Sequence, residues 1–471
     1  MSQPGERAPA ASLGLLDATM VGIGAMIGAG IFVLTGLATE LAGPAAIVAF
    51  ALNGGVTTFT ALSYAELAAA IPRNGGGYAY VREVFSAPVA FVMGWTRWFT
   101  YMIAGALYAL GFSSNFVEFV HLYGVTLPGP PVAYALLAVV VLVALNALST
   151  EASGGAETAI TLVKIAILGL FVVLGLPVAR GAEFDPLFPN GALAVLPAMG
   201  LTFIAFQGYD LIATVTEEVE NPTVNIPRAI LLSVVVTVVV YLFVVFVAIG
   251  TLGPERLAAA GETAVAQAAE GFMPSLPVLG TGAAIIAFGA VFSTISALNA
   301  VVIGSSRVAF AMGRERQLPA VLGRLHHRYG TPFVGVLASA AVMLVAVLVV
   351  PIGTVGKLAS LFSLLGFTIV NVAVFRLRRQ QPDLRRPFQV PFYPVTPALG
   401  IVCNLLLGLF IDAETWALAV GWLVLGGVVY LLLARSGRTD EGRPEPTAAA
   451  EATVADPEPI DLDADVDEET A

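Results

Sequence analysis

The chain has 471 residues, of which 58% are hydrophobic and only 12% are charged, and its mean hydropathy is +0.87. A soluble domain carries roughly a quarter charged residues, so a water-soluble enzyme is excluded and the chain reads as a polytopic membrane protein. The net charge of −11 is a property of the tail: residues 436–471 hold twelve acids against two arginines, and the rest of the chain sums to −1. A body without a basic field excludes a nucleic-acid partner. The single cysteine, Cys403, allows neither an internal disulfide nor a thiolate metal site, and it reads as a packing residue in an apolar run.

A membrane helix needs about 20 apolar residues. Twelve runs meet that measure: 14–39, 43–68, 88–117, 131–149, 155–178, 192–216, 228–251, 276–312, 333–351, 355–376, 395–411 and 414–434. The polar residues before the first run are followed by too long an apolar stretch for a cleavable signal peptide. Breakers such as Asn221-Pro222 and Gly330-Thr331-Pro332 separate the runs. Fifteen arginines fall on the side of the bilayer that holds the N-terminus, against Arg180, Arg256 and Lys357 on the other. The positive-inside rule then predicts a multi-pass cell-membrane protein with both termini cytoplasmic. The expected organisation is a cytoplasmic segment (1–13), a core of ten spans (14–376), two further spans (377–435) and a disordered acidic tail (436–471) whose partner is unknown.

Two spans are not clean helices. The first reads Gly22-Ile23-Gly24-Ala25-Met26-Ile27-Gly28-Ala29-Gly30-Ile31-Phe32, and each glycine costs a helix about 1 kcal/mol relative to alanine. The sixth places Gln207, Gly208 and Asp210 deep inside an apolar run. Glycine also permits plain helix packing, and Gly24 and Gly28 have the spacing of a helix contact. The recurrence five spans apart favours a site built on interrupted helices in an inverted repeat. An interrupted helix exposes N–H groups at one new end and carbonyls at the other. Two such breaks suit a zwitterion, and an amino acid is the smallest common one with a variable appendage.

At these residues the chain resembles the amino acid–polyamine–organocation permeases, and within them the cationic amino acid transporter-like branch. The match is carried by Met20 to Phe32, by Phe206-Gln207-Gly208-Tyr209-Asp210 with Glu217-Glu218-Val219-Glu220-Asn221-Pro222 and Ile226-Pro227-Arg228, and by Ser296-Ala297-Leu298-Asn299 with Ser306-Arg307 and Gln317-Leu318-Pro319. The resemblance implies an all-α fold of twelve spans, a five-plus-five inverted repeat with broken first and sixth helices. It also implies that the amides of Gly28, Ala29 and Gly30 hold the substrate carboxylate, and that the carbonyls of Met26, Ile204 and Gln207 receive its amino group. Two positions depart from the family. Ile204 stands where an aromatic lid is common, leaving Phe203, Phe206 or Tyr209 as gate candidates. Thr100 stands where the cationic branch can carry an acid, which argues against lysine or arginine as cargo.

Lys164 lies about halfway along the fifth span, and Lys357 is the only other lysine. A charge at that depth costs at least about 3 kcal/mol, which a lysine escapes by releasing its proton. The resemblance gives such a lysine the place that sodium takes in sodium-coupled relatives. It makes the proton the expected coupling ion, with carbonyls near Gly22 and Ile23 and the hydroxyls of Ser293 or Ser296 as neighbours. Asp210 is either a second proton-sensing group or a cap for the half-helix after the break. Arg97 is equally deep by count, but the flanking Trp95 and Trp98 place it nearer an interface in a structural role. Glu217, Glu218 and Glu220 read as a solvated turn, Gly75-Gly76-Gly77 as a hinge, and the three histidines lack metal-site spacing. No phosphate-binding loop or nucleophile–base pair stands out, so neither ATP, nor another cofactor, nor enzyme chemistry is expected. The expected function is proton-coupled uptake of neutral amino acids. The rivals are an exchanger, a cationic amino acid or polyamine permease, and a receptor built on a transporter scaffold.

Overall fold

The computed structural model describes residues 13–73, 75–148, 154–275 and 280–435. Contacts divide the chain into two units, Met1–Asp440 and Glu441–Ala471, and every described residue lies in the first. The tail at 436–471, and the N-terminal segment apart from Leu13, lie outside the described residues.

Apolar runs in lipid must close their backbone hydrogen bonds internally, so they become helices. Among the described residues, nine stretches are long and apolar enough to cross a membrane, and two shorter apolar helices accompany them. The first stretch holds α1 (Leu15–Met26), α2 (Ala29–Ala42) and α3 (Ala46–Ala70). Then come the short α4 (Gly76–Val84), α5 (Ala87–His121), α6 (Pro131–Leu148) and α7 (Gly154–Gly175). The short helix α8 (Val195–Thr202) gives way to two 3₁₀ segments, Phe203–Phe206 and Tyr209–Thr214. Beyond these lie α9 (Pro222–Leu252), the small α10 (Pro254–Ala259) and α11 (Ala264–Glu270), and α12 (Gly282–Arg314). The described residues end in α13 (Phe333–Val349), α14 (Ile352–Gln380), α15 (Val395–Leu409) and α16 (Ala413–Arg435).

Burial sorts these helices into a centre and a skirt. The apolar window of Leu15–Ala70 is 89% buried, whereas that of Ala413–Arg435 is 11% buried and presents its side chains outward. The interrupted segments therefore sit at the centre, wrapped by α5, α9, α12 and α14. On one side, the segment from α10 to α11 closes over α2. Gly36 admits the Gly261 carbonyl there, and Asn115 of α5 donates to the Glu262 carbonyl at 3.3 Å.

Two expectations are corrected. α14 runs to Gln380, four residues past the predicted end of the tenth span. The extra turn is anchored by Arg378, which donates to both oxygens of fully buried Glu66 at 2.8 and 2.7 Å. Trp95 and Trp98 face the protein interior and not its outer surface. They are 5% and 6% exposed, and Trp95 stacks on Trp422 of α16 at 4.6 Å and donates to its carbonyl. Arg97 between them points into the protein and is 4% exposed.

Candidate functional site

The first break falls at Ile27 and Gly28, whose ψ angles of 67° and −131° end α1 and start α2. The second falls at Gln207 in extended backbone and at Gly208 with φ +138°, a conformation that L side chains rarely adopt. The breaks pack reciprocally. A Cβ added at Gly30, just past the first break, would lie 2.6 Å from the Ala205 Cα, just before the second. A Cβ added at Gly208, in the second, would lie 2.6 Å from the Met26 nitrogen, just before the first. Both glycines are therefore required by the close approach of backbone, a reason the sequence does not display. Gly28 faces Ala297 and Tyr108 instead.

Tyr241 of α9 joins the two breaks. Its hydroxyl lies 2.6 Å from the Met26 carbonyl and 3.0 Å from that of Ala205. The Met26 oxygen also accepts the Gly28 amide at 2.7 Å, so both its lone pairs are engaged. The Ile204 carbonyl accepts the Gln207 amide at 3.1 Å and keeps one lone pair. The first-turn amides of α2, at Ala29 and Gly30, have no intrahelical carbonyl to reach.

Lys164 of α7 is fully buried. Its ammonium donates to the Gly24 carbonyl at 3.0 Å and the Ser296 hydroxyl at 3.2 Å. The acceptor is thus the carbonyl after those of Gly22 and Ile23, in the last turn of α1, where the helix dipole is negative. Ser293 turns instead to the break and donates to the Ile27 carbonyl. Thr158 and Thr161 precede Lys164 on the same face of α7 and donate to Asp17 and to the Met20 carbonyl at 3.1 and 3.3 Å. Three donors thus bind α7 along α1.

A cavity of about 740 Å³ runs from exposed Gly75 and Arg307 inward to Ala25, Arg97, Tyr101, Asp210 and Ser296. At its deep end a small void of about 10 Å³ lies among Ala25, Tyr101, Ala104, Tyr108, Gln207, Gly208 and Ala297. That holds one water at most. Gln207 is the only one of the expected substrate residues to line it. Thr100 is buried and bonds its own helix at the Thr96 carbonyl, 2.9 Å away. The face of α5 toward the cavities carries Arg97, Tyr101, Ala104 and Tyr108, at the four- and three-residue spacing of one helix face. The gate candidates lie elsewhere. Phe203 packs on Phe367, Phe206 on Phe50 and Tyr241, and Tyr209 on Tyr64 and Phe367. Tyr101 and Tyr108 are the aromatic side chains that border the void. Asp210 both caps and pairs: one oxygen accepts the Gly208 amide at 3.1 Å, and the other meets the Arg97 guanidinium.

The model of the amino acid permease family matches residues 13–433. The chain belongs to that family. The permease is 31% identical over 449 residues to the branched-chain amino acid permease of Bacillus subtilis (strain 168), covering 92% of this chain and 94% of the relative. It is 30% identical to the methylthioribose transporter of the same organism, over 92% and 95% of the two chains. It is also 30% identical to the inner membrane transport protein YbaT of Escherichia coli (strain K12), over 90% and 96%. The permease is therefore an amino acid–polyamine–organocation transporter of the multi-pass membrane type, with a small-molecule substrate, and not an enzyme.

Proposed function

We propose that this permease is a proton-coupled importer of neutral amino acids, with twelve spans, a five-plus-five inverted repeat and both termini in the cytoplasm. The observation that carries the reading is the reciprocal seating of the two breaks, Gly30 on Ala205 and Gly208 on Met26, beside Lys164. Such mutual seating is what two halves related by a two-fold axis produce. In this reading α1–α2, α3, α5 to α7, the interrupted segment at 192–214, α9 and α12 to α16 supply the twelve spans. The large cavity then opens on the cytoplasmic side, and the segment from α10 to α11 closes the outer one.

The substrate carboxylate sits on the amides of Ala29 and Gly30 and the ammonium on the carbonyls of Ile204 and Gln207, once the void between the breaks widens. Protonated Lys164 ties α1 to α7 and α12 through Gly24 and Ser296. Release of its proton removes that charge-assisted tie and frees α1 to move. The neutral cargo is supported by the relative named for branched-chain amino acids. The experiment is leucine uptake by the purified protein in liposomes with an inward proton gradient. Accumulation above the external concentration, with acidification of the lumen, is expected. Uptake that ignores the gradient and requires internal amino acid would replace this reading with exchange.

A further inference from the structure

Arg97 and Asp210 form a charge pair that the proposed transport cycle does not use. Both are more than nine-tenths buried, at 4% and 2% exposure. Charges at membrane depth are costly, and a buried pair is often no more stabilising than apolar residues of the same size. The pair therefore calls for a role. Asp210 is fixed by the Gly208 amide, so its carboxylate is held at the second break. Arg97 reaches it from α5, donates to the Tyr101 hydroxyl at 2.8 Å, and lies 4.8 Å from the centre of the Tyr101 ring. Both charged side chains line the large cavity at its deep end, beside Ala25 and Ser296. The other charged side chains lining it, half-buried Glu218 and exposed Arg307, are more open to solvent than this pair. Asp210 is thus the one carboxylate that a substrate at the breaks meets. The guanidinium of Arg97 carries a second nitrogen, Nη1, that is buried without a hydrogen-bond partner, so its position is set by the charge of Asp210 more than by a full set of acceptors.

We infer that Arg97 is a specificity-determining residue: by neutralising Asp210 it withholds the carboxylate that would hold a cationic side chain, and so limits the cargo to neutral amino acids. The inference rests on the proposed amino acid transport and names what sets its selectivity. With Arg97 in place, an incoming ammonium meets a pair of zero net charge with its positive member fixed in the cavity wall. Without it, the ammonium meets an uncompensated carboxylate in a site of low dielectric, where opposite charges attract far more strongly than in water.

The test is binding of leucine and lysine to detergent-purified protein, read by ligand-dependent thermal shift. The variants are Arg97→Met, Arg97→Gln, which keeps hydrogen bonding to Asp210 if the methionine protein does not fold, and Arg97→Lys. The ratio of lysine to leucine affinity is expected to rise by about tenfold or more in the methionine or glutamine protein, the low end of measured couplings between close charge pairs. Arg97→Lys keeps the wild-type ratio, and adding Asp210→Asn to Arg97→Met abolishes the gain. A folded Arg97→Gln protein that retains the wild-type ratio overturns the inference. So does one that loses leucine binding, because Arg97 would then hold substrate directly. A wild-type protein that binds no neutral amino acid overturns the transport reading instead, and the two failures are distinct.

Discussion

Replacing Gly30 by alanine probes the packing between the breaks directly. The residue lies in the first turn of α2 with an ordinary helical backbone, so alanine is locally acceptable and only space decides. Its Cβ would fall 2.4 Å from the Ala205 Cβ and 2.6 Å from the Ala205 Cα, whereas ordinary van der Waals separation begins at 3.4 Å. The two segments must part by about 1 Å, and the clash involves backbone that cannot rotate away. Overpacking of this kind costs about 1–3 kcal/mol, and 2 kcal/mol is about 30-fold in an equilibrium constant. Gly30→Ala is expected to lower stability by about that amount and to weaken leucine binding by a similar factor. Gly55 in α3 is the control, because nothing lies within 4 Å of an added Cβ. There alanine is expected to stabilise by about 0.5–1 kcal/mol through the helix backbone. Ala205→Gly in the Gly30→Ala background removes the nearer clash but leaves the backbone of residue 205 in the way, so the rescue is partial. The assay is thermal unfolding in detergent followed by leucine binding. A Gly30→Ala protein that matches wild type in both refutes the reciprocal packing.

Lys164→Ala removes the ammonium that bridges Gly24 and Ser296 and is expected to lose accumulation driven by a pH step in liposomes, with leucine binding retained; undiminished accumulation and lumen acidification would assign Lys164 a structural role. Tyr241→Phe takes the shared hydroxyl from the Met26 and Ala205 carbonyls and is expected to cost about 1–3 kcal/mol in thermal stability for the buried acceptors left behind. Asp412 is held down to about 2: burial opposes its charge, but hydrogen bonds from Lys357 and from the Thr415 amide and hydroxyl outweigh it. A lowered carboxylate stabilises above its ordinary value of about 4 and loses that contribution as pH falls through about 2, so the difference in unfolding temperature between wild type and Lys357→Met should be present at neutral pH and shrink across that window. Topology is checked with Val125→Cys in a Cys403→Ser background: the exposed loop after α5 should react with an impermeant thiol reagent from outside the cell, and labelling only after permeabilisation would reverse the orientation.

The apolar runs and the two interrupted segments were legible in the sequence, because lipid leaves the backbone no option but helix and four glycines with a buried Gln-Gly are visible departures from it. Lys164 was legible for the same reason: a charge in an apolar run is its own signal. The spacing of α7 against α1 was not legible, and the acceptor proved to be the Gly24 carbonyl. Tyr241 was not legible, because a tyrosine in a valine-rich helix carries no pattern; only the approach of α9 to both breaks gives its hydroxyl two carbonyls. Thr100 and Tyr101 are neighbours in sequence, yet about 100° apart around a helix, so the packing of α5 against α12 decided which of them meets the cavity. The pairing of Arg97 with Asp210 spans 113 residues and joins two helices through side chains alone. Hydropathy and breakers act along the chain and can be read from it, whereas the facing of a helix and the partner of a buried charge are set by contacts between segments, which exist only once the segments are packed.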